Sequence, residues 1–73
     1  MRTQIVMDAT GDTRHQFDAT DSTSVMEARN RFDALTKAGF IAAKRTGDGR
    51  AELIRQFDPT VQETLFMPRL VGG

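Results

Sequence analysis

The chain has seventy-three residues, with ten basic and ten acidic side chains and no cysteine. A chain this short buries only about 60% of its unfolded surface, and without cysteine it has neither a disulfide nor a thiolate metal site to reinforce that core. Its zero net charge argues against a nucleic-acid binder, because such proteins carry a basic surplus to contact phosphates.

The first two predicted elements are strands joined by a tight turn. Residues 3–8 are predicted as a strand in which Ile5 and Met7 share one face, and Gln4, Val6 and Asp8 share the other. Residues 9–12 form a turn in which Gly11 takes a positive φ. Residues 13–20 alternate again, so this segment predicts a β-hairpin.

The residues after this hairpin predict a helix. Asp21-Ser22-Thr23-Ser24 is a cluster of capping residues, in which Ser24 and Glu27 fit a capping box and Ser22, Thr23 and Ser24 are all candidates for the cap itself. Apolar residues then recur at helical spacing, at Val25, Ala28, Phe32 and Leu35. Gly39 is the expected stop, in the left-handed position after the last turn.

The second half of the chain predicts three further strands. These are residues 40–46, residues 50–57 after a Gly-Asp-Gly turn, and residues 63–67. Between the last two, Pro59 breaks the strand and Asp58 caps a short helical turn through 61–62. Pro68 either ends the final strand or places it at a sheet edge.

The element order predicts an α+β domain in which one helix buries its apolar stripe on one face of a mixed sheet. We expect the other face to be mostly exposed to water. We also expect the first and last strands to lie side by side and parallel at the centre. Residues 1–68 would form this single domain, and 69–73 a flexible C-terminal tail.

Several segments resemble ubiquitin, in the same order along the chain. Gln4-Ile5-Val6 is similar to its first strand, Thr10-Gly11-Asp12-Thr13 to its first turn and Glu63-Thr64-Leu65 to its last strand. Asp21, Thr23 and Val25 stand where that family begins its helix, and Arg69-Leu70-Val71-Gly72-Gly73 is similar to its Arg-Leu-Arg-Gly-Gly end. The resemblance implies a divergent ubiquitin-like protein with the β-grasp fold.

Other positions depart from the ubiquitin pattern. Val71 replaces the second arginine of the tail, and Lys37 and Lys44 are the lysines available for chain building. The apolar docking patch on the sheet of ubiquitin corresponds to Ala9, Ala43 and Met67, which is a much weaker patch.

The resemblance implies that Gly73 is an activated carboxyl terminus. Gly72 would let the tail enter a narrow channel of the partner enzyme because it has no Cβ. Arg69 and Leu70 would contact that enzyme and fix the position of the tail. The implied partner is an ATP-dependent activating enzyme. The protein would then be a protein modifier or a sulfur carrier, a substrate rather than an enzyme, monomeric and without a cofactor.

Two other functions stay open. A non-conjugating interaction module of the same fold would bind a protein through its exposed sheet face or a strand edge. A small nucleic-acid binder using Lys44, Arg45 and Arg50 is the weaker alternative.

The remaining chemistry of the chain is sparse. His15 lacks a nucleophile and an orienting acid that would make it catalytic, and a single histidine is too few for a zinc site. No apolar run approaches the roughly 18 residues of a membrane span, and the N-terminal apolar stretch is too short for a signal peptide. We therefore expect no metal, no catalytic residue, no membrane partner and a cytoplasmic location.

Overall fold

Residues 1–69 are described by a computed structural model, and they form a helix and five strands. The elements in chain order are β1 (Arg2–Asp8), β2 (Gly11–Phe17), α1 (Ser22–Lys37), β3 (Phe40–Arg45), β4 (Ala51–Ile54) and β5 (Glu63–Pro68). The strands form one sheet in the order β2-β1-β5-β3-β4. β1 and β5 are parallel at its centre, and the other neighbouring strands are antiparallel. The predicted α+β class and the central parallel pair are confirmed.

The first helical turn is capped by Asp21 and not by the serine or threonine residues that follow it. The Asp21 side chain accepts a hydrogen bond from the Thr23 backbone N–H at 3.2 Å. The Ser24 hydroxyl oxygen instead accepts from the Asp18 N–H at 2.8 Å, so Ser24 holds the end of the hairpin against the helix. The predicted capping box is wrong because this longer-range contact occupies the Ser24 side chain.

The predicted end and apolar stripe of α1 are confirmed. Gly39 has a φ of 103° directly after the C-cap Ala38, a conformation that only glycine adopts without strain. Ala28 and Phe32 are buried, and Val25 and Leu35 on the same stripe are half-buried.

The main core lies between α1 and the sheet. Its buried residues are Val6, Phe32, Ala42 and Phe66, each from a different element. The rings of Phe32 and Phe66 meet edge-to-face with centroids 5.6 Å apart, which is the favoured arrangement of two aromatic quadrupoles.

β4 ends at Ile54, three residues before the end of the predicted strand over residues 50–57. Residues 55–57 leave the sheet after Ile54, and the Phe57 ring packs on Phe17 and Phe32 at centroid distances of 5.8 and 6.0 Å. Arg29 on α1 lies over the same ring, 5.6 Å from its centroid. Phe57 thus closes one end of the core, and this packing prevails over continued strand pairing.

Residues 58–61 form one hydrogen-bonded turn instead of the predicted helical turn. The Val61 N–H donates to the Asp58 carbonyl oxygen at 3.2 Å. The Asp58 carboxylate accepts from both the backbone N–H and the hydroxyl of Thr60, at 2.9 and 2.7 Å. The aspartate satisfies the turn locally, so the chain enters β5 without another helical turn.

Pro68 ends a central strand, so its alternative placement at a sheet edge is wrong. It lies opposite Phe40 in the antiparallel β3–β5 pair. The Thr46 N–H donates to the Arg50 carbonyl oxygen at 2.8 Å, so the backbone groups of Thr46 point toward the β4 side. Every second residue of a strand directs its backbone groups the same way, so those of Phe40 also point away from β5. The missing N–H of Pro68 therefore removes no hydrogen bond to β3, and the parallel pairing of β5 with β1 ends before Pro68, at Val6 and Phe66.

The sheet face opposite α1 is predicted to be mostly exposed to water, but the side chains at its centre are buried. Ile5, Leu65 and Ala43 are neighbours in register on this face, and they are 4%, 5% and 0% exposed. The same alternation places longer side chains around them, including Met7, Met67 and Arg14. The sheet therefore buries apolar side chains on both faces of its central strands, with Ile5, Leu65 and Ala43 on the face opposite α1.

Candidate functional site

The described part of the chain ends where the centre of the sheet meets the end of α1. β5 ends at Pro68, opposite the first residue of β3, and Arg69 is exposed. Of the predicted tail residues, Arg69 is therefore placed at the surface. Leu70, Gly72 and Gly73 lie outside the described residues.

A groove of about 470 Å³ lies beside this point, and we call it the β3 groove. Its apolar wall includes Phe40, Ile41, Leu53 and Ile54, and its cationic residues are Arg55 and Arg69. Among residues 1–69, no acidic side chain lines it. The groove exists because β4 ends at Ile54, opposite Ala42, and leaves the first two residues of β3 uncovered on that side.

The backbone of Phe40 faces this groove. Thr46 bonds toward the β4 side, and every second residue of β3 points its N–H and C=O the same way, which includes residues 44, 42 and 40. β4 pairs with the first two of these positions and ends before it reaches Phe40. Within the described part of the chain, the Phe40 backbone has no hydrogen-bond partner there, so the groove contains one open position of a sheet edge.

The sheet-face residues predicted from the ubiquitin resemblance do not form one exposed patch. Ala9 is exposed in the β1–β2 turn, Ala43 is fully buried, and Met67 is half-buried on the face opposite α1. Leu53 on the same face is 68% exposed. A protein bound to this face would therefore contact Leu53 and Met67, and it would find no surface at Ala43.

The basic residues near the β3–β4 turn are paired with acids. Lys44 lies 3.9 Å from Glu52, Arg45 lies 3.1 Å from Glu63, and Arg50 lies 3.7 Å from Asp48. Each predicted phosphate-binding cation therefore has a carboxylate beside it. This pairing reduces the local positive field on which nucleic-acid binding depends.

His15 lies on β2 beside the Gln4 side chain that joins β1 to α1. It is half-buried and pairs in register with Gln4, a fully buried side chain that bonds to α1. Burial and then the positive charge of Arg31 lower the pKa of His15, so its ring is neutral at pH 7. This environment is that of a structural histidine.

The short Asp-X-Thr segments form a repeated local structure. Asp8, Asp18 and Asp58 each accept hydrogen bonds from the hydroxyl and the backbone N–H of the threonine two residues later. The hydroxyl bond and then the backbone bond lower the pKa of each carboxyl, because they favour its ionised form. The hydrogen-bond partners of these three carboxylates lie in the same turns, so the aspartates stabilise the turns.

Within residues 1–69, the structure has no cluster of side chains that would hold a metal ion. No helix in this part of the chain is long and apolar enough to cross a membrane.

Sequence reasoning did not find the β3 groove. The sequence predicts Phe40 and Arg55 within two separate strands, and the early end of β4 brings them to one groove. The only sequence signal was Phe57 before Asp58-Pro59, an aromatic residue close to a strand-breaking turn.

Comparison with protein-family models, with curated proteins and with solved structures found no match for this chain.

Proposed function

We propose that this protein is a ubiquitin-like carrier of the β-grasp class, activated at Gly73 by an ATP-dependent adenylating enzyme. The observation that supports this most strongly is the strand order, with β1 and β5 parallel at the centre of the sheet. This order directs the chain out of the sheet at Pro68 and exposes Arg69, the first of the five residues that resemble the ubiquitin end.

The chemistry proposed for Gly73 is acyl transfer. Its carboxylate attacks the α-phosphate of ATP, which forms an acyl adenylate and releases pyrophosphate. A thiolate of the partner then attacks the acyl carbon and AMP leaves, which gives a thioester. An amine that attacks the thioester carbon forms an amide, the C–S bond breaks and the partner's thiol is released, which makes the protein a modifier. If sulfide attacks the acyl carbon of the adenylate instead, the bond to AMP breaks, AMP leaves, and the resulting thiocarboxylate makes the protein a sulfur carrier.

The proposal requires Gly73 to have a free carboxylate in the mature protein. The intact mass of the protein isolated from its host tests this requirement directly. A mass that includes residues beyond Gly73, with no shorter species, would overturn the proposal.

Activation is tested by incubating the purified chain with host extract and ATP. We expect high-mass adducts, a thiol-sensitive thioester or a mass increase of about 16 Da for oxygen replaced by sulfur. A variant with Gly72→Ala and Gly73→Ala, which keeps the length of the tail, should lose these products. Gly47→Ala is the matched control, because Gly47 lies in an exposed turn with no atom within 4 Å of an added Cβ.

A second candidate is a non-conjugating interaction module. It is favoured by the exposed Leu53 and by the open backbone position at Phe40, which are features that a tail-activated carrier does not need. If the Ala-tailed variant, the Gly47→Ala control and the unchanged chain all stay unmodified while folded, the carrier proposal fails and this candidate takes its place.

A further inference from the structure

The β3 groove combines three features that bear on what it could bind. It has an apolar wall, an unpaired backbone N–H and C=O at Phe40, and two arginines without acidic neighbours in its lining. Each feature selects for a different property of a ligand: apolar side chains, an extended backbone and negative charge.

The open backbone position at Phe40 favours binding of an extended segment. An N–H and a C=O that point the same way at a strand edge accept one residue of an added strand through two hydrogen bonds. Because β4 stops at Ile54, an added segment would continue the line of β4 along the start of β3.

The side chains that line the groove indicate which residue types of such a segment would bind there. Phe40, Ile41 and Ile54 are half-buried and Leu53 is mostly exposed, so apolar side chains of a ligand would gain burial there. Arg55 and Arg69 are exposed and have no ion pair within residues 1–69, so they are available to carboxylates.

We propose that the β3 groove binds an extended segment of a partner protein that combines apolar residues with aspartate or glutamate. This binding does not require activation at Gly73, and it gives the interaction-module candidate a defined surface and a ligand class.

The other long edge of the sheet is less suited to the same ligand. The outward backbone positions of β2 are those of Asp12, Arg14 and Gln16, by the alternation of its pairing with β1. Their side chains are exposed and polar, which is how edge strands commonly avoid adding another strand.

The test is a titration of the full 73-residue chain, labelled with ¹⁵N and followed by NMR. The probe is an acetylated and amidated peptide, Asp-Val-Glu-Ile-Asp-Val-Glu-Leu, whose capped ends carry no charge. We expect the largest shift changes at Phe40, Leu53 and Arg55. We also expect the Phe40 amide to exchange rapidly with solvent in the free protein and to become protected in the complex.

Two modified peptides separate the contributions of charge and backbone. A peptide with lysine in place of each acidic residue should not bind. A peptide that keeps all side chains but carries N-methyl groups on alternate amides should bind much more weakly, since it lacks backbone donors. Equal binding by either peptide would overturn the proposal.

Matched arginine variants test the location of the site. Arg55→Glu should weaken binding of the acidic peptide by roughly tenfold, since reversal both removes an attraction and adds a repulsion. Arg14→Glu makes the same charge change at the other edge of the sheet and should have little effect. Both variants leave Gly72 and Gly73 intact, so the activation assay distinguishes failure of this site from failure of the carrier proposal.

Three other results would overturn the proposal. The first is no shift at Phe40 with millimolar peptide, or shifts centred on Asp12, Arg14 and Gln16. The second is that removal of residues 70–73 alone exposes the Phe40 amide and tightens peptide binding, which would make the chain's own tail the occupant. The third is concentration-dependent shifts at Phe40 with a doubled sedimentation mass, which would make a second copy the occupant.

Discussion

The buried side chain of Gln4 accepts a hydrogen bond from Arg31 Nη1 at 2.8 Å, and this contact joins the central strand β1 to α1. Gln4 Nε2 donates in turn to the Ala28 carbonyl oxygen at 3.0 Å. Both ends of a fully buried amide are thus satisfied by the helix. The pair fixes the position of α1 along the sheet in a way that apolar packing alone does not.

Removing the Gln4 amide should destabilise the fold. We expect Gln4→Leu to lower the free energy of unfolding by about 1–3 kcal/mol, because Arg31 loses a buried acceptor. Urea denaturation at pH 7 measures the change. Gln16→Leu is the control, as Gln16 is exposed on β2 and should shift the free energy by less than about 0.5 kcal/mol. Equal effects of the two substitutions would contradict the role of Gln4.

The Phe32–Phe66 contact should carry a large share of the stability. Phe66 is fully buried, so Phe66→Ala is expected to cost about 3–5 kcal/mol through lost burial and the cavity left behind. Phe66→Leu should keep the fold, with a smaller loss in thermal midpoint measured by circular dichroism. Leu53→Ala, at a site 68% exposed, should change little. A mild effect of Phe66→Ala would show that the core can collapse around the site.

Gly39 and Gly47 should respond differently to the same substitution. Gly39→Ala places a Cβ at a φ of 103° and should cost about 1–2 kcal/mol. Gly47 has no such positive φ and no atom within 4 Å of an added Cβ, so Gly47→Ala should be neutral or slightly stabilising. Parallel urea titrations of the two variants test the difference, and equal losses would argue against the left-handed stop of α1.

The Asp-X-Thr turns should make stability fall in acid. The pKa of Asp8, Asp18 and Asp58 is lowered in the folded chain, so the unfolded chain binds protons first as the pH decreases. Their stabilisation is therefore present above about pH 4 and is lost as the pH falls through the folded pKa values. Urea midpoints between pH 7 and pH 2 measure this loss, and a midpoint that stays constant across the range would contradict it.

The Thr60 hydroxyl tests the cause of that shift at a single turn. Thr60→Val removes the hydrogen bond that lowers the pKa of Asp58 most, so the pKa should rise toward its ordinary value. Thr60→Ser keeps the hydroxyl and should leave the pKa low. Carboxyl ¹³C NMR titration of Asp58 reads both, and the same pKa in both variants would assign the shift to another group.

The paired cations of the β3–β4 turn predict weak nucleic-acid binding. We expect no measurable binding of a 20-base-pair DNA duplex at about 50 mM salt, a condition that favours phosphate contacts. A variant with Glu52→Gln and Glu63→Gln frees Lys44 and Arg45 and serves as the comparison. Tight binding by the unchanged chain, with a steep dependence on salt, would restore the nucleic-acid function.

The local chemistry of the sequence determined the glycine positions of the first turn and of the helix end, the helix itself and the element order. Gly11 and Gly39 stand at positive φ because no other residue adopts those angles as easily, and the Phe32 stripe needs only the helical period. The proposed reactive terminus at Gly73 also comes from sequence, and it stays a prediction, because residues 70–73 lie outside the described part of the chain.

Only the tertiary structure decided which contacts override these local patterns. Phe57 joins the rings of Phe17 and Phe32 where β4 ends early, and the Ser24 hydroxyl accepts a hydrogen bond from the Asp18 N–H instead of capping α1. The β3 groove and the Gln4–Arg31 pair join residues far apart in the chain. Short-range periodicity does not encode such pairings, because their free energy comes from burial and hydrogen bonds that exist only once the sheet and the helix have packed together.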